Sequence, residues 1–155
     1  MFNGAVNAFS KEPGSHADGR PLPEAARDLK SRGIGWAAVG DENYGEGSSR
    51  EHAAMSPRWL GARAVIVRSF ARIHETNLKK QGVLPLTFAN AADYDRVRDG
   101  DRVTLHALRS LKAGKPVRAT LHHADGKSES IELRHSLFSE QIGWFFAGAA
   151  LNALE

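Results

Sequence analysis

Short apolar runs, each followed by a helical pattern that stops at a glycine, lay out the first half of this chain. Residues 34–39 form an apolar run rich in branched and aromatic side chains, as a buried strand does, and residues 64–67 and 83–87 repeat it. Upstream, the stretch 10–23 is rich in Gly and Pro and reads as a loop. Pro23 then opens a helix over 24–32, with Gly33 just past its end. Between the first two strands a helical pattern runs over 49–60 and stops at Gly61; between the next two, Ser69 caps a helix that reaches Gln81 before Gly82. On that helix Phe70, Ile73, Asn77 and Leu78 share one face at helical spacing. Two strand–helix–strand units in succession predict an α/β core with parallel strands.

The second half has a different rhythm. Residues 91–97 read as a short helix, and 102–106 and 117–123 alternate as strands do. Ala124-Asp125-Gly126-Lys127 is a hairpin turn with Asp-Gly at its centre, and 130–133 is the returning strand. A C-terminal helix over 139–153 carries Ile142, Phe145, Phe146, Ala149 and Ala150. No internal repeat is visible, and the 155 residues read as one domain, 1–155.

Composition narrows the function classes. Hydrophobic content of 41% and charged content of 25% are ordinary for a globular protein. No apolar run approaches the roughly 20 residues of a membrane helix, so no membrane partner is expected. There is no cysteine, so the chain forms no disulfide and offers no thiolate to a metal or an iron–sulfur cluster. Residues 1–9 have neither the basic stretch nor the apolar core of a signal peptide, and no targeting segment is expected in this chain. The net charge of +3 is distributed unevenly: Arg50, Arg58, Arg63, Arg68, Arg72, Lys79 and Lys80 face only Glu51 and Glu75 in the same stretch. Such a cluster suits RNA, a small polycarboxylate, or plain solvent.

The candidate chemistry lies in residues 40–52, where Gly40-Asp41-Glu42-Asn43-Tyr44-Gly45-Glu46-Gly47 runs into Ser48-Ser49-Arg50-Glu51-His52. Gly45 and Gly47 let the backbone turn tightly and approach a ligand. The helix start that follows presents unpaired amides and the positive end of the helix dipole, which together favour an anion. Arg50 adds a planar fork for a carboxylate, and Ser48 and Ser49 add hydroxyls. The same residues also fit a capping box, with Ser48 at N-cap and Glu51 three positions on. A serine acts as a base only where donors and positive charge stabilise its alkoxide. Asp41, Glu42 and Glu46 work against that, so these residues alone leave capping and ligand binding both open.

These residues closely resemble the aconitase family. The matching blocks are GDENYGEGSSREHAA at 40–54, SFARIHETNLKKQG at 69–82, LPLTFA at 84–89, and QIGWFFAG at 141–148 with Leu151-Asn152. The resemblance implies the C-terminal swivel domain of that family. The fold expected is α/β, three-layer β/β/α, with short parallel strands and a C-terminal β-hairpin plus helix. Ser48 matches the serine that removes the substrate proton as an alkoxide. Ser49 and Arg50 match residues that bind substrate carboxylates, and Gly45, Gly47, Arg72 and Asn77 match supporting positions. The implied reaction interconverts citrate and isocitrate through cis-aconitate. It needs a 4Fe-4S cluster carried by partner domains 1–3 or a large subunit, so the chain alone is expected to be inactive. The implied location is the mitochondrial matrix or the cytoplasm.

Small subunits of isopropylmalate isomerase and homoaconitase share the Gly-Ser-Ser-Arg core. Asn43-Tyr44-Gly45-Glu46-Gly47 and Ser69-Phe70-Ala71-Arg72-Ile73-His74 depart from them towards aconitase proper. The family's swivel domain usually begins earlier, so this chain reads as shortened at its N-terminus. A non-catalytic module that binds RNA or protein is the other reading. His122 and His123, adjacent on a strand, face opposite ways and read as surface histidines rather than joint metal ligands. No metal site is expected in this chain. His74, Arg72 and Asn77 read as support for the loop. Trp59, Trp144, Phe145 and Phe146 read as core or interface residues, with some apolar surface left exposed for partner domains.

Overall fold

A computed structural model describes residues 18–47 and 51–154. Helix α1 (Leu22–Ser31) leads into β1 (Trp36–Gly40), followed by α2 (His52–Trp59), β2 (Ala62–Val67), α3 (Arg72–Lys80) and β3 (Leu84–Phe88). A 3-10 turn (Ala91–Arg96) then leads to β4 (Arg102–Leu105), β5 (Val117–His122), β6 (Ser128–Arg134), α4 (Ser139–Ala147) and a last 3-10 turn (Leu151–Leu154). The six strands form one sheet in the order β1-β2-β3-β6-β5-β4. Strands β1, β2 and β3 are parallel, β6 runs antiparallel to β3, and β4 and β5 complete an antiparallel half. The fold is therefore mixed α/β, with the expected parallel strands, hairpin and C-terminal helix.

Alternation along β2 shows how the core is divided. Ala64 and Ile66 point to one face and join Leu84, Leu86, Leu133, Leu137 and, from α4, Ile142 and Phe145. Val65 and Val67 point to the other and meet Ala54 of α2, Leu78 of α3 and the ring of Tyr44. Tyr44 belongs to the loop after β1, so the core itself holds that loop. The tight hairpin is present: Asp125 Oδ1 accepts from Lys127 N at 2.9 Å and Gly126 takes φ +84°.

Two expected boundaries move and one expected helix changes type, each for a local reason. Helix α3 starts at Arg72 rather than after Ser69, because residues 69–71 stay extended against the loop. Tyr44 N donates to Ser69 O and Ala71 N to Tyr44 O, both at 3.0 Å. Ser69 is not the helix cap; its hydroxyl accepts from Asn43 N at 2.9 Å. In consequence Phe70 lies off the helix and Ile73 is 56% exposed, and the inward positions are His74, Asn77 and Leu78. Helix α4 stops at Ala147, not near 153, because Gly148 takes the left-handed conformation at φ +88° and ends it. The 91–97 helix is a 3-10 turn, begun by Asn90 Oδ1 accepting from Ala92 N. The expected loop at 10–23 and the start of the 49–60 helix lie largely or partly outside the described residues.

Candidate active-site loop

The loop that follows β1 is held in place by what its glycines allow. A Cβ on Gly40 would lie 2.5 Å from Tyr44 Cδ2, so the Tyr44 ring rests directly on the backbone at the end of β1. Asn43 turns the chain through the left-handed region at φ 53°. Gly45 follows at φ +93°, and its Cα faces the His74 ring so closely that a Cβ would overlap the imidazole. The Tyr44 ring packs against His74 at 5.5 Å between centroids and edge-on to Phe70 at 6.2 Å. Burial pushes the Tyr44 phenol up to about 12 and lowers the pKa of His74, so both are neutral at pH 7. His74 is 4% exposed and its Nδ1 makes no hydrogen bond.

Arg68, just after β2, fixes the root of the same loop. Its guanidinium bonds both Asp95 oxygens at 3.2 and 3.1 Å, reaches Asp41 Oδ1 at 3.4 Å, donates to Ala91 O, and lies 4.5 Å over the Tyr94 ring. Three successive strand ends are thereby tied together. Beyond the glycines, Glu51 Oε1 accepts from Gln81 Nε2 at 3.0 Å. Ser48, Ser49 and Arg50 lie outside the described residues, between flanks that α3 holds through His74 on one side and Gln81 on the other.

A family model described as the aconitase C-terminal domain matches residues 4–91. The chain belongs to this family. It is 54% identical over 154 residues to the mitochondrial aconitate hydratase of Gracilaria gracilis, covering 99% of this chain and 19% of that protein. It is 49% identical over 157 residues to that of Saccharomyces cerevisiae, covering 98% of this chain and 20% of that protein. The chain thus spans about a fifth of the aconitate hydratases it matches. Its fold is similar to a solved 3-isopropylmalate dehydratase of Methanocaldococcus jannaschii, with TM-score 0.52 and 26% identity over 76% of this chain and 62% of that one.

For this aconitase C-terminal domain, the supporting residues divide. Gly45 and Asn77 lie at the loop and on the inward face of α3, and Asn77 is 8% exposed. Arg72 is exposed at the first position of α3, with no side-chain hydrogen bond among the described residues. Gly47 has open space where a Cβ would sit, so no described residue demands a glycine there. The basic stretch does not act as one surface. Arg58 donates to Gly148 O, Arg68 is used as above, and Lys79 is 8% exposed with its Nζ 2.6 Å from Ser136 Oγ. Sequence reasoning did not single out Arg68, Tyr44 or Ser69 for the loop. The local signal was present: Arg68-Ser69 directly follows β2, at the strand end where α/β folds place their sites.

His123 departs from the surface reading. It does face away from the exposed His122, but its side chain is 1% exposed, with Nδ1 2.8 Å from Asp101 and Nε2 3.0 Å from Glu129. The hydrogen bond to Asp101, with that to Glu129 and against the cost of burial, raises its pKa. A raised folded pKa gives stability that is complete below the unfolded value near 6.5 and is lost as pH rises through the folded value. Glu129 has the opposite sign: Arg96, then His123, lowers its pKa, so its contribution disappears as pH falls below the ordinary carboxylate range. The loss of urea midpoint in His123→Gln relative to the native chain should therefore be larger at pH 6 than at pH 9.

Arg68 gives a second expectation. Its carboxylate partners are exposed, so each ion pair contributes little, but together with the ring contact the loss in Arg68→Ala should be about 1–2 kcal/mol. Hydrogen exchange at Asn43 and Tyr44 should accelerate more than at Leu86.

As expected, large apolar side chains are left uncovered: Trp59 is 76% exposed, Leu151 78% and Phe138 71%. Among the described residues no group of three or more His, Asp or Glu side chains is placed to hold a metal, and no helix is long and apolar enough to cross a membrane.

Proposed function

We propose that this chain acts as the swivel-type part of an aconitate hydratase. In this reading Ser48 removes the substrate proton, Ser49 and Arg50 hold substrate carboxylates, and citrate and isocitrate interconvert through cis-aconitate. The observation that supports it most is the loop at 40–47, braced from β2, the 3-10 turn after β3 and α3 directly ahead of Ser48 in the chain. A fixed frame is what a proton-transfer hydroxyl requires, since small displacements there cost large factors in rate.

The chemistry at 48–50 follows from residue type. Arg50 offers a planar fork suited to a carboxylate. Amides at the start of α2 lie at the positive end of the helix dipole and favour the same ligand. They also stabilise an alkoxide on Ser48. The half-buried Tyr44 ring and the buried His74 ring, both neutral, pack against the loop's glycines. Identity of 54% to an aconitate hydratase against 26% to a 3-isopropylmalate dehydratase favours a tricarboxylate over the dicarboxylate reaction.

The donor set of this chain does not fit an iron–sulfur cluster, because it has no cysteine. The cluster of this reaction therefore belongs to partner domains, and the exposed Trp59, Phe138 and Leu151 are available to meet them. Relatives named as mitochondrial favour the mitochondrial matrix as the location.

Reconstitution is the test. The chain is mixed with cluster-loaded domains that lack a swivel domain, and formation of cis-aconitate from citrate is followed. Turnover that requires both parts is the expected result. No turnover from a correctly loaded mixture, with salt-sensitive RNA binding instead, would favour the binding-module reading.

A further inference from the structure

At the end of the sheet opposite the 40–47 loop, three cations gather round a cleft that no carboxylate lines. The cleft has a volume of about 350 Å³ and opens where β1 and β2 begin. Lys30, Arg58, Arg63, Trp59 and Ile34 line it over a floor of glycines. The length of β1, about 16 Å for its five residues, separates it from the loop, so a substrate held at 48–50 does not reach it. A ligand in this cleft is therefore independent of the role given to Ser48, Ser49 and Arg50.

Cations on an open surface swing freely in water, but these three are held. Arg58 Nη2 donates to Gly148 O at 3.1 Å. The Arg63 stem lies flat on Gly35, where a Cβ would sit 2.7 Å from Arg63 Cγ. Lys30 Nζ donates to Trp59 O at 2.5 Å and lies 4.5 Å from the centre of the Trp59 ring. Capping the last turn of α2 accounts for Lys30, and Gly148 accounts for one nitrogen of Arg58. Arg63 has no such use: among the described residues its guanidinium has neither a hydrogen bond nor an ion pair. By contrast, Arg68 and Arg96 each hold a carboxylate. Desolvation, and then the charge of Arg63, lowers the pKa of Arg58, as expected of two guanidiniums with no counter-ion between them.

Trp59 narrows the class of anion. It is 76% exposed at the rim of the cleft, so its ring is open to a flat partner. A base of any kind stacks on such a ring, and phosphate oxygens match the planar fork of an arginine. A polycarboxylate would use the cations and leave the ring idle. The volume falls within the range of small-ligand sites, about 300–1,000 Å³.

We propose that this cleft binds a nucleoside di- or triphosphate, with the base on the Trp59 ring and the phosphates between Arg58 and Arg63. The two guanidiniums then share the counter-ion that the fold does not supply.

Calorimetric titration of the full chain with ATP at low salt is the test. The expected result is saturable binding of one ATP per chain with Kd below about 1 mM, weakening as salt rises. Arg63→Gln should lower the affinity for ATP and for pyrophosphate at least about tenfold, as for a lost charge-assisted pair. Arg63→Lys, which keeps the charge without the fork, should fall between. Trp59→Ala should weaken ATP about tenfold and leave pyrophosphate unchanged. Both side chains are exposed, so the urea midpoints of these variants should stay near native, which separates lost binding from lost fold. No saturation by millimolar ATP, or an ATP affinity unmoved in Arg63→Gln or in Trp59→Ala, would overturn the inference. A single-stranded oligonucleotide bound far more tightly than ATP would overturn it in favour of an RNA surface. ATP binding abolished by adding cluster-loaded domains would overturn it too, assigning the cleft to the interface with them.

Discussion

Ser48→Ala is expected to leave the fold in place and lower turnover of the reconstituted enzyme by about 10²–10⁴-fold, the range for loss of a positioned general base. KM for citrate should change little, since the carboxylate-binding fork of Arg50 and the helix amides remain. The competing role for this serine is a helix cap. Losing a cap costs about 1 kcal/mol of stability and has no direct effect on chemistry. Two measurements separate the roles. A large fall in kcat with the urea midpoint nearly unchanged supports the base. A shifted midpoint with kcat within about tenfold of native, once corrected for the folded fraction, supports the cap. Arg50→Lys gives the complementary result: it keeps the charge but loses the planar fork, so KM should rise more than kcat falls.

Much of the architecture was legible because it depends on local pattern. The runs around 64–67 and 83–87 are buried on the sheet and had to be apolar; the run around 34–39, expected to be buried, instead lies at the sheet's edge with Ile34 and Val39 each 41% exposed, and each run sits within a few residues of a strand. Glycines 61, 82 and 126 take positive φ where the pattern stops. What the pattern could not give were positions decided by contacts between distant segments. Ser69 looks like a helix cap because Ser before a helical pattern usually is one. Here a bridge between Tyr44 and Phe70 keeps the chain extended for two further residues, and the hydroxyl serves Asn43 instead. That shift makes His74 an inward residue and leaves Ile73 outside.

His123 was misread for a similar reason. Just past the end of β5 it faces away from His122 as expected, but its surroundings come from Asp101 and Glu129, and two flanking carboxylates hold both nitrogens of the buried imidazole and raise its pKa. The site was legible in a different way. Family resemblance picked out residues 48–50, while the frame that holds them, Arg68 and His74 above all, emerges only when the ends of the strands are brought together.

Gly45→Ala should destabilise the chain by about 2–4 kcal/mol, which is large for the addition of one methyl group. Two costs combine. At φ +93° an alanine pays a backbone strain of about 1–2 kcal/mol. The new Cβ would also overlap the Cβ and Cγ of His74 and sit 2.6 Å from its Cδ2, against a side chain that is buried and packed on the Tyr44 ring. The components separate in a double-mutant cycle. In His74→Gly both the ring and the Cβ that the new methyl would meet are gone, so adding Gly45→Ala should cost only the backbone part, and the coupling between the sites should be about 1–2 kcal/mol. Strictly additive losses would mean that the ring does not press on the loop. Gly47→Ala is the control: with no described residue near that Cβ and no left-handed φ, its stability should stay within about 0.5 kcal/mol of native. A loss of turnover in Gly47→Ala with stability intact would then locate close ligand approach at Gly47, and the contrast between the two glycines would separate the one the fold needs from the one the substrate needs.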